Sequence, residues 1–138
     1  MADELTDPAA RAEVLGGIDP DQAGVHHELL RAIFRAEAGH RRENPDTEYF
    51  ENLYWCAFLL SRVGDPADVP MMWAAKFTDF DTAAGFDVQF LLGAGPERTL
   101  AYLRAHGHDE IARRLAEYPE LDDDLAGWAA DRRAYFYG

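Results

Sequence analysis

The sequence is poor in the residues that carry covalent chemistry. Its 138 residues include one cysteine, Cys56, one serine, Ser61, and one lysine, Lys76. A single cysteine excludes an intramolecular disulfide, and its position inside an apolar run predicts a small buried side chain in a reducing compartment. Cys56 and Ser61 both lie in or at the end of that run, so the sequence offers few candidate nucleophiles for covalent catalysis.

Long hydrophobic runs and basic leader residues are also lacking. No apolar stretch approaches the roughly 18 residues of a membrane span, and residues 1–8 carry acids where a signal peptide needs bases. We therefore expect a cytoplasmic protein that does not bind a membrane.

Basic side chains number 13 against 26 acidic ones, which gives a net charge of −13. Phosphate contact needs a basic face, so this charge argues against nucleic acid and leaves basic partners or mere solubility.

Motifs for metals, phosphates and cofactors are missing as well. His26 and His27 lack the His-Glu-x-x-His spacing that places two imidazoles on one helix face. The glycine turn at residues 93–96 has neither the lysine nor the preceding strand of a phosphate-binding loop. Asp79 and Asp81 follow a predicted helix, whereas a phosphotransfer Asp-x-Asp motif follows a buried strand, so we interpret these acids as helix caps. We predict no catalytic residue, no metal and no cofactor, and the residues disfavour an enzyme.

The most prominent feature present is an uninterrupted apolar run over residues 53–60. It predicts a helix over residues 49–63, started by Asp46 or Thr47, that is apolar on every face and must be covered on more than one side. The next segment, residues 69–80, supplies the expected first part of that cover, which includes Trp73, Phe77 and Phe80. The chain length suits one domain, so we predict a single all-helical domain over residues 1–138.

Helix starts recur along the chain. The pairs Asp7-Pro8, Asp19-Pro20 and Asp65-Pro66 combine an N-cap with proline at the first helical position. Pro96 and Asp109 start two more helices, and a last one begins near Glu120. The predicted second helix ends at Gly39 and buries a stripe that includes Val25, Leu29 and Ile33, with Leu30 and Phe34 as a second apolar row. The helix after Asp65 ends near Phe80. Residues 86–92 alternate like a strand, but no second strand is available for pairing, so we interpret them as helical.

These signals give an all-α fold of seven or eight helices. Leu60-x-x-x-Gly64 and Leu103-x-x-x-Gly107 each precede a further helix start, 43 residues apart. With the Asp-Pro turn inside residues 59–69, the chain resembles HEAT-like repeat proteins. The resemblance covers residues 19–118 and implies an irregular α-α superhelix of helical hairpins that serves as an interaction scaffold. An irregular helical bundle is the alternative.

The candidate site is a partner-binding junction where two hairpins should meet. It comprises Trp73, Lys76, Asp79, Asp81 and Asp87. The structural alternative is that Lys76 ends a helix, lays its stem over Trp73 and bonds to Asp79.

From the charge and the candidate site we expect a non-enzymatic protein–protein interaction module whose partner is a protein with a basic contact face. One alternative is an immunity or inhibitor protein that neutralises a basic toxin or nuclease. The other is an enzyme or small-ligand binder that uses Lys76, Asp79 and Asp81.

Overall fold

The computed structural model describes residues 7–138 and consists there of helices and turns, without a strand. This confirms the all-α fold and the predicted number of helices. Eight α-helices occur in the described residues: α1 Pro8–Gly16, α2 His27–Glu43, α3 Glu51–Val63, α4 Val69–Lys76, α5 Phe80–Gly85, α6 Pro96–Ala105, α7 Asp109–Leu115 and α8 Leu125–Tyr137. Four 3-10 helices connect them: Pro20–His26, Pro66–Asp68, Val88–Leu92 and Pro119–Asp122.

The helices that start at Asp-Pro pairs are held by local hydrogen bonds. The carboxylate of Asp7 accepts from the Ala9 amide at 3.1 Å, and those of Asp19 and Asp65 accept from the amide two residues on, each at 2.9 Å. Such a bond satisfies one of the amides that a helix start leaves without a partner. Asp124 does the same for α8, accepting from the Gly127 amide at 3.0 Å.

Two predicted caps are wrong. Phe50 precedes α3 and makes no side-chain cap bond, so neither Asp46 nor Thr47 caps that helix. His108 precedes α7, and Asp109 is the first residue inside the helix. An acidic residue in the first turn still interacts favourably with the positive end of the helix dipole.

The segment after Asp19 differs from its prediction in length and in the exposure of Val25 and Leu29. A 3-10 helix with non-helical dihedral angles at Gln22 precedes α2, which then runs through Gly39 to Glu43. The kink resets the rotation of the helix, so Val25 is 77% exposed and Leu29 is also exposed. The face that enters the core is formed by Leu30, Ile33 and Phe34. One internal glycine costs about 1 kcal/mol of helix stability, which this burial outweighs.

The segment predicted as one helix ending near Phe80 forms two helices. Helix α4 ends at Lys76, and Asp79 starts α5 by accepting a hydrogen bond from the Thr82 amide at 2.7 Å. Residues 86–92 contain the 3-10 helix Val88–Leu92, in agreement with the helical interpretation.

Helix α3 is the centre of the core, as its apolar run predicts. It contacts α1, α2, α8 and two of the 3-10 helices. Rings of α8 contact it: Trp55 stacks on Phe136 with centroids 5.8 Å apart, and Phe58 contacts Phe136 and Trp128 at 5.7 and 6.5 Å. Tyr54 contacts the Phe86 ring, which lies outside α8, at 6.1 Å. Helix α8 thus forms part of the cover, and its last tyrosine, Tyr137, donates to the Ile18 carbonyl at 2.9 Å. Trp73 is buried in the same core cluster as the apolar run of α3.

Within residues 7–138, none of the helices combines the length and the apolar character that crossing a membrane requires.

Candidate functional site

The five predicted site residues do not meet in one place. Lys76 and Asp87 line a cleft of about 430 Å³, whereas Asp81 lines a different cleft of about 360 Å³. The short helix α5 lies between the two clefts, because Ala83 and Ala84 line the first and Asp81 and Gly85 line the second. Trp73 lines neither cleft. The prediction grouped these residues by proximity along the chain, and the helix separates them.

Lys76 is a buried structural cation. Its side chain is 5% exposed, and its ammonium group donates to the Ala83 carbonyl at 2.7 Å and to the Phe86 carbonyl. The expected bond to Asp79 is therefore wrong. Burial lowers the pKa of Lys76, and the nearby Asp87 and Glu120 carboxylates oppose this change. The two carbonyls belong to the C-terminal end of α5, so Lys76 caps that end from the preceding helix.

Asp79, Phe80 and Asp81 form an exposed surface at the start of α5. Asp79 is the N-cap of α5, and its bonds with Thr82 lower the pKa of its carboxyl. The Phe80 side chain between the two acids is 86% exposed, and both aspartates are exposed. Phe77 lies three residues earlier and is 38% exposed. We call Phe77, Asp79, Phe80 and Asp81 the Phe80 surface.

Trp73 supports this surface from behind. Its ring lies 4.7 Å from the Phe77 ring and 6.5 Å from the Tyr118 ring, and its side chain is 8% exposed. The Arg114 guanidinium lies over both Trp73 and Phe77, at 5.3 and 5.2 Å from the ring centroids. A buried ring with these contacts fixes Phe77 and leaves little of itself for a partner.

Asp87 also has a structural partner. Its carboxylate accepts a hydrogen bond from the Trp128 indole nitrogen at 3.0 Å, which links the 3-10 helix Val88–Leu92 to α8. Sequence reasoning missed this link because the two residues are 41 positions apart.

A histidine–aspartate pair that the sequence did not indicate joins α2 to the Pro66–Asp68 turn. Nε2 of His27 lies 2.7 Å from one Asp68 oxygen, and Nε of Arg31 lies 2.6 Å from the other. Asp68 is 3% exposed. A dyad of this kind can activate a nucleophile only when a hydroxyl or thiol faces the imidazole.

The one serine and the one cysteine form hydrogen bonds elsewhere. The Ser61 hydroxyl donates to the Phe58 carbonyl at 2.5 Å, and the Cys56 thiol donates to the Leu30 carbonyl at 3.2 Å. Burial raises the pKa of Cys56 well above its ordinary value, which disfavours the reactive thiolate. The His27–Asp68–Arg31 cluster is thus best described as a polar clamp between helices.

A second buried polar cluster connects α1, α2 and α3. Nε of Arg11 lies 2.5 Å from a Glu37 oxygen, and both side chains are 2% exposed. The Asn52 amide donates to the same oxygen at 3.0 Å and to the Pro8 carbonyl at 2.9 Å. These bonds satisfy the Glu37 carboxylate inside the core, where a charge without partners is costly.

No group of three or more histidine, cysteine or acidic side chains in the described part of the chain is placed to hold a metal ion. Comparison with family models, with curated proteins and with solved structures finds no match for this chain. The resemblance to HEAT-like repeats therefore stays a prediction, and the functional argument rests on the geometry alone.

Proposed function

We propose that the protein is a non-enzymatic interaction module that binds a protein with a basic contact face through the Phe80 surface. The observation that carries this proposal is the Phe80 side chain, which is 86% exposed and stands between the exposed carboxylates of Asp79 and Asp81. Aromatic side chains that become buried on binding contribute much of the affinity of interfaces. Carboxylates around such an anchor select a partner of opposite charge.

The framework around Phe80 supports this role. Helix α5 has six residues, which is too short for a helix to be stable on its own. Asp79 caps its first turn, and Lys76 binds the carbonyls at its other end. Asp79 and Lys76, which hold the two ends of α5, are both among the five predicted site residues. Holding the helix in advance reduces the entropy that a partner must overcome on binding.

The net charge of −13 supports the choice of a basic partner. Long-range attraction raises the rate of encounter between oppositely charged proteins, and it weakens as salt shortens the Debye length. An inhibitor of a basic toxin or nuclease is the narrower form of this proposal, and the same charge favours it. The Lys76 ammonium does not support a ligand anchor, because two backbone carbonyls already occupy it.

The test is capture of a partner at low salt, followed by binding kinetics. Asp79→Asn with Asp81→Asn removes two charges while asparagine at position 79 can still cap α5. Its matched control is Asp122→Asn with Asp123→Asn, which removes two exposed charges elsewhere without touching the cap Asp124. We expect the first pair to slow association and the control to have a smaller effect.

Two further measurements complete the test. Raising ionic strength from about 0.01 to 0.15 M shortens the Debye length from about 30 to 8 Å, which should slow association more than it speeds dissociation. Phe80→Ala should speed dissociation at either salt concentration. An acidic ligand, association indifferent to salt, or unchanged binding by Phe80→Ala would each contradict the proposal.

A further inference from the structure

Arg41 is a buried cation that forms no ion pair with the residues that the structure describes. It lies in the last turn of α2, its side chain is 8% exposed, and its Nε atom is buried with no hydrogen-bond partner among those residues. The chain has twice as many acidic as basic side chains, so the lack of an ion pair here is unexpected. The charge of Arg41 contributes to the lowered pKa of Asp79, but the two side chains form no ion pair. A guanidinium stays charged in proteins, and burying it without an anion is costly.

Arg41 lines the cleft of about 360 Å³ on the α8 side of α5, together with Arg132 from α8. Arg132 is half-buried and likewise forms no ion pair within residues 7–138; its guanidinium carbon lies 4.7 Å from the centre of the Tyr135 ring. Two guanidinium groups that form no ion pair in the described part of the chain thus converge on one cavity. The remaining wall is largely aromatic, formed by Phe50, Tyr54, Phe90, Tyr135 and Phe136.

Two carboxylates, Glu51 and Asp81, also line this cleft. Neither forms an ion pair with Arg41 or Arg132. Glu51 is the main cause of the raised pKa of Tyr135, so these two side chains interact within the wall. Asp81 is exposed. The two negative charges disfavour a large polyanion and favour a compact ligand with one anionic group.

We propose that this cleft binds a small organic anion whose carboxylate or phosphate group contacts Arg41 and Arg132 and whose flat apolar body lies against the aromatic wall. The planar guanidinium matches both oxyanions through paired hydrogen bonds. Small-molecule sites occupy about 300 to 1,000 Å³, and the cleft falls at the lower end of that range. Asp81 belongs to both the cleft and the Phe80 surface, but the two arginines lie outside that surface, so the proposal does not depend on the protein partner.

The test uses three anions and one neutral analogue. Benzoate, phenyl phosphate and inorganic phosphate are titrated to millimolar concentrations, and benzamide has the shape of benzoate without its charge. Binding is followed by two-dimensional NMR of the arginine Nε–H groups. We expect benzoate or phenyl phosphate to shift the Arg41 Nε–H signal, inorganic phosphate to bind more weakly, and benzamide to have little effect. Comparison of benzoate with phenyl phosphate identifies which oxyanion the site prefers.

Variants locate the site. Arg41→Gln should weaken binding of the preferred anion by at least about tenfold, because it removes a charge-assisted hydrogen bond. Arg132→Gln should also weaken it, and this half-buried position keeps the test decisive if Arg41→Gln fails to fold. The matched control is Arg113→Gln, which removes an exposed arginine paired with Glu110 on α7 and should leave affinity unchanged.

Three results would overturn the proposal. If none of the three anions shifts the Arg41 signal, the cleft is not an anion site. If benzamide binds as well as benzoate, the arginines do not recognise charge. If Arg113→Gln weakens binding as much as Arg41→Gln and Arg132→Gln, the association is a general charge effect and not a site.

Discussion

Replacing Lys76 with methionine should destabilise the protein through its effect on α5. Methionine keeps most of the length and apolar character of the side chain and removes the ammonium group. The Ala83 and Phe86 carbonyls would then lose a donor that the fold places beside them. Because Lys76 is 5% exposed, water has little access to replace the missing hydrogen bonds.

The expected loss follows from two opposing terms. Each hydrogen bond from a charged donor contributes about 1.5 to 3 kcal/mol, so the two bonds together would account for about 3 to 6 kcal/mol. Methionine also removes the cost of burying a charge, which is the main cause of the lowered pKa of Lys76. We therefore expect a net loss of about 2 to 4 kcal/mol in the free energy of unfolding.

Urea unfolding followed by circular dichroism measures this loss directly. The matched control is Arg114→Met, which removes a neighbouring exposed cation that rests on Trp73 and Phe77. We expect that control to lose less than about 1 kcal/mol, because exposed cation–π contacts are weak. If Lys76→Met loses no more than the control, the ammonium is not held by the two carbonyls. Lys76 would then return to consideration as a binding residue.

Three further predictions concern stability. Trp73→Ala should lose about 3 to 5 kcal/mol in the free energy of unfolding, measured with urea, because the ring is buried. Phe80→Ala should change it by less than about 0.5 kcal/mol because its ring is exposed. Similar losses for the two variants would contradict their assigned burial. Glu37→Gln should lose about 3 to 5 kcal/mol in the same assay because the buried Arg11 guanidinium loses a carboxylate partner, and a neutral effect would show that this pair is hydrated. Burial raises the pKa of Cys56 in the folded state, so the unfolded chain releases the thiol proton at a lower pH than the folded chain does. Stability should therefore fall as the pH rises above the ordinary thiol pKa of 9.0. Cys56→Ala should reduce that fall, and identical pH profiles for the two proteins would refute the assignment.

Much of the helical architecture could be predicted because its signals are local. A cap such as Asp7 or Asp65 bonds to an amide two residues away, so neighbouring residues contain all that the helix start requires. The apolar run in α3 likewise predicted its central place, because a helix without a polar face has to be covered. The apolar face of α2 was predicted in part: Leu30, Ile33 and Phe34 are buried as expected, whereas Val25 and Leu29 are exposed. A 3-10 segment with a kink precedes His27 and changes the direction of the residues at that end.

The candidate site could be predicted only in part. Asp79 was correctly interpreted as a cap, whereas Asp81 lies inside the first turn of α5. Phe80 was expected to help cover the central helix, and it is exposed instead. The sequence placed Lys76 beside Asp79 because they are three residues apart, yet the folded chain brought carbonyls seven and ten residues away to the ammonium. The sequence did not indicate that Arg41 and Arg132 line the same cleft, because arginine is common in this chain and the two residues are far apart in the sequence.

By itself the sequence determined the fold class, the principal helix starts, the identity of the central helix and the excess of negative charge. These properties depend on composition and on contacts between residues a few positions apart. Only the tertiary structure decided which polar groups are buried and what they meet. It paired Arg11 with Glu37, brought Asp68 to His27, and buried Arg41 in a cleft with no ion-pair partner among the described residues. The physical reason is that the cost of burying a charge depends on every element around it, and no single segment contains that information.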